Sequence, residues 1–183
     1  MQRSHYKTDS VKVIEAIKEN PIPSIPAYNN ARDSLIERVF LRLQHNCQLF
    51  ATILEKNSPE NLYWKRTIDK PTSKLKNIDC LEFKKYNTYW YFEPNGDTVK
   101  LKIESGLWTD YFKDGTYSQL KFTWKTECDF QIEFLQSDNR IRKGYSKPGD
   151  IYQYSLLEKS NHFYLLSVRT EGLDKYSIFK LYY

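Results

Sequence analysis

Cysteine is scarce in this chain, with three residues in 183, far below the density of scaffolds built on disulfides. Glycine (6) and proline (7) are also few, which excludes collagen-like and low-complexity chains. No apolar run approaches the roughly 20 residues that a membrane-crossing helix needs. No apolar signal-type segment follows Met1, so no export signal is read there. The three histidines, His5, His45 and His162, form no His-x-x-x-His or Glu-x-x-His pair, and no Cys-x-x-Cys occurs. His45 and Cys47 are two apart on a predicted helix and point about 200° away from each other. No metal site follows from such a pattern. Gly-x-Ser-x-Gly, Gly-x-x-x-x-Gly-Lys and Gly-x-Gly-x-x-Gly are likewise missing, and with them the recognised nucleophile elbow and phosphate-cradling loops. No cofactor is indicated.

Aromatic residues, in contrast, are plentiful: 15 Tyr, 10 Phe and 4 Trp. With 40% apolar residues the chain can bury a core, which excludes a disordered chain. The net charge of +5 is unevenly spread. Residues 1–77 hold 13 Lys+Arg against 8 Asp+Glu, while residues 78–183 hold 15 of each. The densest basic stretch is Lys65, Arg66, Lys70, Lys74 and Lys76. It is either a patch for an anionic partner or a solvated, lysine-rich loop. The excess is too small and too dispersed for nucleic acid.

Two periodicities divide the chain. Residues 11–20 place Val11, Ile14 and Ile17 near one helical face, and Asn20-Pro21 ends that helix. Three prolines in residues 21–26 make a stiff connector. From about Asn30 to Lys56, Leu35, Ile36, Val39, Phe40, Leu43, Cys47, Phe50, Ile53 and Leu54 recur at helical spacing. Arg38, Arg42, His45 and Gln48 supply the polar remainder. After about Leu62 the period becomes 2. Lysines alternate with Val99, Leu101 and Ile103. Leu120, Phe122 and Trp124 alternate with Lys121, Thr123 and Lys125. Phe130, Ile132 and Phe134 alternate with Gln131 and Glu133. Residues 151–157, 163–168 and 176–183 complete the set, and in 89–92 Trp90 and Phe92 are read as facing in, Tyr89 and Tyr91 out. Turn residues at 94–97, 113–115, 137–139, 147–150 and 160–161 separate them. The expected fold is α+β: N-terminal helices, one of them long, packed on a C-terminal antiparallel β-meander of eight or so strands, curled or barrel-like. The domain reading is 1–60 for the helical region with its Pro-rich connector at 21–26, and 61–183 for the β-domain.

The C-terminal part, with Gly115-Thr116-Tyr117, Trp124-x-x-x-Cys128-x-Phe130-x-Ile132, Ser137, Gly144 and the aromatic-rich closing strands, resembles a group of small Bacteroidota envelope proteins. Many of these are lipoproteins. The resemblance covers about residues 97–183. It implies a compact β-rich fold and a cell-envelope location, periplasm-facing or lipid-anchored in a full-length precursor. A cytoplasmic location is the alternative.

Three candidate chemistries remain. The cysteines read as small buried hydrophobes, with a Cys80–Cys128 disulfide open if the chain is exported. Three carboxylate pairs lie close in sequence, Asp79/Glu82, Asp110/Asp114 and Glu127/Asp129. Glu127 and Asp129 share a strand face, where like charges can raise one pKa for acid–base work, but they lie beside a turn where solvated acids are common. The tyrosines and tryptophans offer large contact area at low entropy cost. Tyr89, Tyr91, Trp108, Tyr111, Tyr152 and Tyr154 are the candidates for a partner surface, set against ordinary strand packing. The first reading is a non-enzymatic binding or assembly protein that recognises a protein or envelope component through this aromatic sheet. A carrier of small apolar ligands with a lipocalin-like cavity is the alternative, and a hydrolase a weaker one. A carrier requires an enclosed cavity. A docking protein requires a flat aromatic patch.

Overall fold

A computed structural model describes residues 30–56 and 60–183. The predicted helix at 11–20 and the proline connector at 21–26 lie outside the described residues. The chain divides into two compact units, Met1–Pro59 and Glu60–Tyr183.

In the first unit the predicted long helix is formed by α1 (Asn30–Asn46) and α2 (Gln48–Lys56). Cys47 stands between them, yet the ladder passes through it: its N–H donates to Leu43 O and its carbonyl accepts from Ala51 N–H, both at 2.9 Å. Phe40 and Phe50 pack edge to face at 5.3 Å. His45 departs from its place on the polar face. It is buried, and its Nδ1 lies 2.6 Å from Asn46 Oδ1, which satisfies a ring nitrogen that burial would otherwise strand.

The second unit runs β1 (Trp64–Thr67), α3 (Asn77–Phe83), β2 (Thr88–Phe92), β3 (Thr98–Glu104), β4 (Leu107–Tyr111), β5 (Tyr117–Trp124) and β6 (Asp129–Ser137). It continues with α4 (Arg140–Tyr145), β7 (Ile151–Lys159), β8 (Phe163–Thr170) and β9 (Tyr176–Tyr182). Strands β2 to β9 pair antiparallel in chain order, and β9 returns to β2 at Trp90↔Tyr182. The sheet is therefore a closed eight-stranded barrel. The extra strand β1 adds to the same edge of β9, with Trp64 opposite Phe179 and Thr67 opposite Tyr176. Closure removes the free edges that an open meander would present to solvent. An eight-stranded barrel has an interior that side chains can just fill, or that holds one small ligand.

Sequence reading missed two strands. β1 is only four residues long. β4 was hidden by the turn before it, where Ser105 (φ 53°) and Gly106 (φ 75°) both take left-handed backbone. That is the two-residue hairpin turn whose twist matches the strands, and Asn or Gly suits it better than Ser. Ser105→Asn is expected to add about 0.5–1 kcal/mol, raising the thermal midpoint by about 1–4 °C in a calorimetric scan.

The two ends of the barrel differ. At one end α3 is a plug. Phe83 stacks on Tyr89 at 4.8 Å and meets Tyr164 edge-on at 5.1 Å. The hydroxyls of Tyr89 and Tyr164 donate to the carbonyls of Phe83 (2.6 Å) and Asp79 (3.2 Å), satisfying groups that a short helix leaves open. Cys80 of α3 is joined to Cys128 of the β5–β6 turn, Cα–Cα 5.2 Å. The open choice between two buried thiols and a disulfide is thus settled for the disulfide, and Cys47 is free. At the other end the β6–β7 connection, read as two turns, is a longer loop that carries α4. Asn139 Oδ1 accepts from Arg142 N–H and starts this helix.

Candidate functional site

The interior of the barrel is lined by alternate residues of each strand, and this corrects the face assigned to β2. Tyr89 and Tyr91 point in, at 1% and 7% exposure, while Trp90 and Phe92 are half-buried on the other face. Their register explains it: Tyr89 and Tyr91 stand opposite Leu101 and Val99, and Trp90 stands opposite Lys100. Directly opposed residues share a face, and a barrel cannot place lysines in its core.

Of the other aromatic candidates, Trp108 is buried on β4, Tyr152 and Tyr154 are half-buried on β7, and Tyr111 alone is exposed. The set therefore does not make one outer surface. Trp108, Tyr154 and Phe130 pack together inside, with Tyr154 stacked on Phe130 at 4.9 Å. The half-buried aromatics of the outer face are different residues. Trp90 is stacked on Tyr182 at 4.1 Å, with Phe92 and Phe163 beside it and Lys180 over the Phe163 ring.

Toward the α4 end the packing stops short of filling the barrel. A cavity of about 230 Å³ is left there, walled by Leu120, Ile132, Phe134 and Val168 and by the rings of Trp64, Tyr91, Tyr145, Tyr152 and Tyr154. The wall is closed between β9 and β2 by Trp64. Its ring stacks on Phe179 at 4.3 Å, and its Nε1 donates to Phe92 O at 2.6 Å.

Among the polar groups of this cavity, Asp110 is the most consequential. It lies two residues after Trp108 on β4, and so faces inward with it. It is 8% exposed. Trp108 Nε1 donates to its Oδ1 at 3.0 Å, and the Tyr91 hydroxyl is a second donor. Burial outweighs these two hydrogen bonds and pushes the carboxyl up to about 7, so the acid is about half protonated at neutral pH. Burial first, and Asp110 second, push the Tyr91 and Tyr154 hydroxyls well above the usual phenol range. Ser146 Oγ and Tyr152 OH share a 2.5 Å hydrogen bond. Ser118 is buried at the wall and donates to Ser137 Oγ at 2.9 Å. Arg142 of α4 reaches the rim, where it pairs with Glu93 and lies over the Phe112 ring at 5.2 Å.

The remaining sequence candidates sit elsewhere. Lys65 and Arg66 are exposed on β1; Lys70, Lys74 and Lys76 are exposed on the segment leading to α3. Lys74 pairs with Glu158 of β7 at 2.5 Å, so part of the basic charge is offset by a neighbouring strand. Glu127 pairs with Lys84 at 2.7 Å, and Asp129 organises the β5–β6 turn by accepting from Thr126 Oγ1. The acid pair is a pair of turn acids. Among the described residues no three His, Cys, Asp or Glu side chains gather to hold a metal ion, and no helix is long and apolar enough to cross a membrane. Sequence reading weighed Asp110 only as a pair with Asp114, whereas the structure buries it beside Trp108; that reading missed Ser118, Arg142 and Trp64 as site residues. The signal for the direction of Asp110 was present: it lies two residues after Trp108 and so shares its face of the strand.

No family model, curated protein or solved structure matches this chain, and the site is read from its own geometry.

Proposed function

We propose that this protein is a binding protein that holds a small, partly polar ligand inside its barrel, and that it works in an oxidising setting such as the cell envelope. The observation that carries the reading is the walled cavity with a buried acid at its side. A carboxyl so placed costs stability at neutral pH, and such groups concentrate where a function needs them. The lining is mostly apolar and aromatic with a few convergent polar groups, the composition of ligand pockets in general. At about 230 Å³ it is smaller than the roughly 300–1,000 Å³ of sites for drug-sized molecules. The Cys80–Cys128 disulfide supports the setting, since such bonds persist mainly outside reducing compartments.

Native mass spectrometry of the full chain recovered from its own host tests this. A small bound mass is expected, released on denaturation and missing from a Ser118→Phe variant that fills the cavity. Recovery with a protein partner and without a small molecule, unchanged by Ser118→Phe, would overturn it. That outcome would favour the second reading, docking through the outer face of β2, β8 and β9. The half-buried Trp90–Tyr182 stack and its neighbours support that reading.

A further inference from the structure

We infer that the ligand of this cavity is a small organic cation, an amine carried on an aromatic or short apolar body. The inference rests on the carrier reading above and deepens it. The charged and titratable groups that face the space are Asp110 from β4, Tyr91 from β2, Tyr152 and Tyr154 from β7, and Arg142 and Tyr145 from α4. Arg142 pairs with Glu93 and lies against Phe112, which offsets much of its charge, although that charge still reaches the Tyr91 and Tyr154 hydroxyls and opposes their upward shift. Among the described residues Asp110 has no such ion pair. Its two partners, Trp108 Nε1 and the Tyr91 hydroxyl, are neutral donors, and a carboxylate offers about four acceptor sites.

Each class of ligand meets this lining differently. An anion faces Asp110 and the negative faces of the tyrosine rings, and is repelled by both. A neutral apolar ligand takes water from the carboxyl and returns nothing, which leaves a buried polar group unsatisfied. An ammonium donates to the free acceptor sites, compensates the charge and lies against ring faces that attract cations. Size narrows the class further. The cavity of about 230 Å³ equals roughly seven or eight waters at about 30 Å³ each, room for about ten non-hydrogen atoms.

The experiment titrates the full chain calorimetrically with three probes of matched body: 2-phenylethylamine, 2-phenylethanol and 3-phenylpropanoate, at pH 8 and pH 5.5. At pH 8 the amine is expected to bind at least about tenfold more tightly than the alcohol, with the propanoate weakest. The amine stays protonated at both pH values, so its affinity should fall at pH 5.5 as Asp110 takes up a proton. Asp110→Asn should bring the amine down to the level of the alcohol. If that variant fails to fold, the pH comparison on the wild-type chain carries the same test. Binding of the alcohol or propanoate as tight as the amine, or an amine affinity indifferent to both pH and Asp110→Asn, overturns the cation inference and leaves the carrier reading standing. No binding by any of the three at millimolar concentration overturns both.

Discussion

Between about pH 4 and pH 7 the barrel is expected to lose stability, and Asp110→Asn is expected to remove most of that loss. In the folded chain the Asp110 carboxyl titrates near 7, against 3.8 for an ordinary aspartate. Between these values the folded state keeps a proton that the unfolded state has released. Stability is therefore full below about pH 4 and declines as pH rises through 7, the reverse of the usual salt-bridged acid. Three units at 1.36 kcal/mol each bound the loss at about 4 kcal/mol, and water entering the cavity beside the charge will reduce it. The exposed acids Asp97 and Asp114 are held low by Lys113 and Thr116 respectively; they act in the opposite sense and at lower pH. The difference between wild type and Asp110→Asn cancels these shared contributions. Urea unfolding at pH 4.5, 6 and 8 is the measurement. The variant should be no more stable than wild type at pH 4.5, where both side chains are neutral, and more stable at pH 8. Parallel curves would mean that Asp110 is as well solvated in the folded chain as in the unfolded one. A charge that weakens the fold at neutral pH is also the group that a bound cation would relieve, so the cost to stability and the proposed recognition arise from one carboxyl.

How far this was legible in the sequence depends on which residues carried the pattern. β3 was plain because Lys100 and Lys102 alternate with Val99, Leu101 and Ile103. β2 was ambiguous because Tyr89, Trp90, Tyr91 and Phe92 are all aromatic, and a strand apolar on both faces does not declare its inner side. Its register resolves the matter, since the inward residues of β3 oppose Tyr89 and Tyr91. A hairpin argument across Pro94–Asp97 would have carried the lysine pattern of β3 over to β2. β4 was lost at a Ser-Gly dipeptide, a turn signal in its own right. With β4 went the inward direction of Asp110, which follows only once Trp108 is placed in a strand. The cavity itself was not legible. It arises where eight strands close and the side chains of Ser118 and its neighbours leave space, a property of the assembled barrel and of no single segment. The Cys80–Cys128 pairing was legible only as an open possibility, because three cysteines allow three pairings and sequence spacing does not decide between a bond and buried thiols; the structure makes the bond.

Loss of that disulfide is expected to lower stability by about 3–5 kcal/mol, measured as the difference in urea unfolding between the oxidised chain and a Cys80→Ala/Cys128→Ala variant. The bond closes a loop with a sequence separation of 48 residues, and constraint of an unfolded loop of that length is worth about 4 kcal/mol. The effect should be felt unevenly. α3 has seven residues, too few to hold as an isolated helix. Besides the disulfide it is fixed by Phe83 among the rings of Tyr89, Trp124, Phe130 and Tyr164 and by the Lys159–Glu82 pair. Removing the covalent tie lets α3 open at a cost below that of global unfolding, so limited proteolysis should first cut the variant between residues 77 and 87. The cavity is lined from the far half of the barrel and by α4, so the variant, while folded, should keep its affinity for the cavity probe. Equal stability of the two forms would mean that ring packing alone holds the plug. Loss of probe binding together with α3 would mean that the plug and the cavity are one cooperative unit. Retained binding beside a loosened plug is the outcome expected of a barrel whose two ends have separate work: one end locked by an oxidised bond and aromatic packing, the other left open around a buried acid.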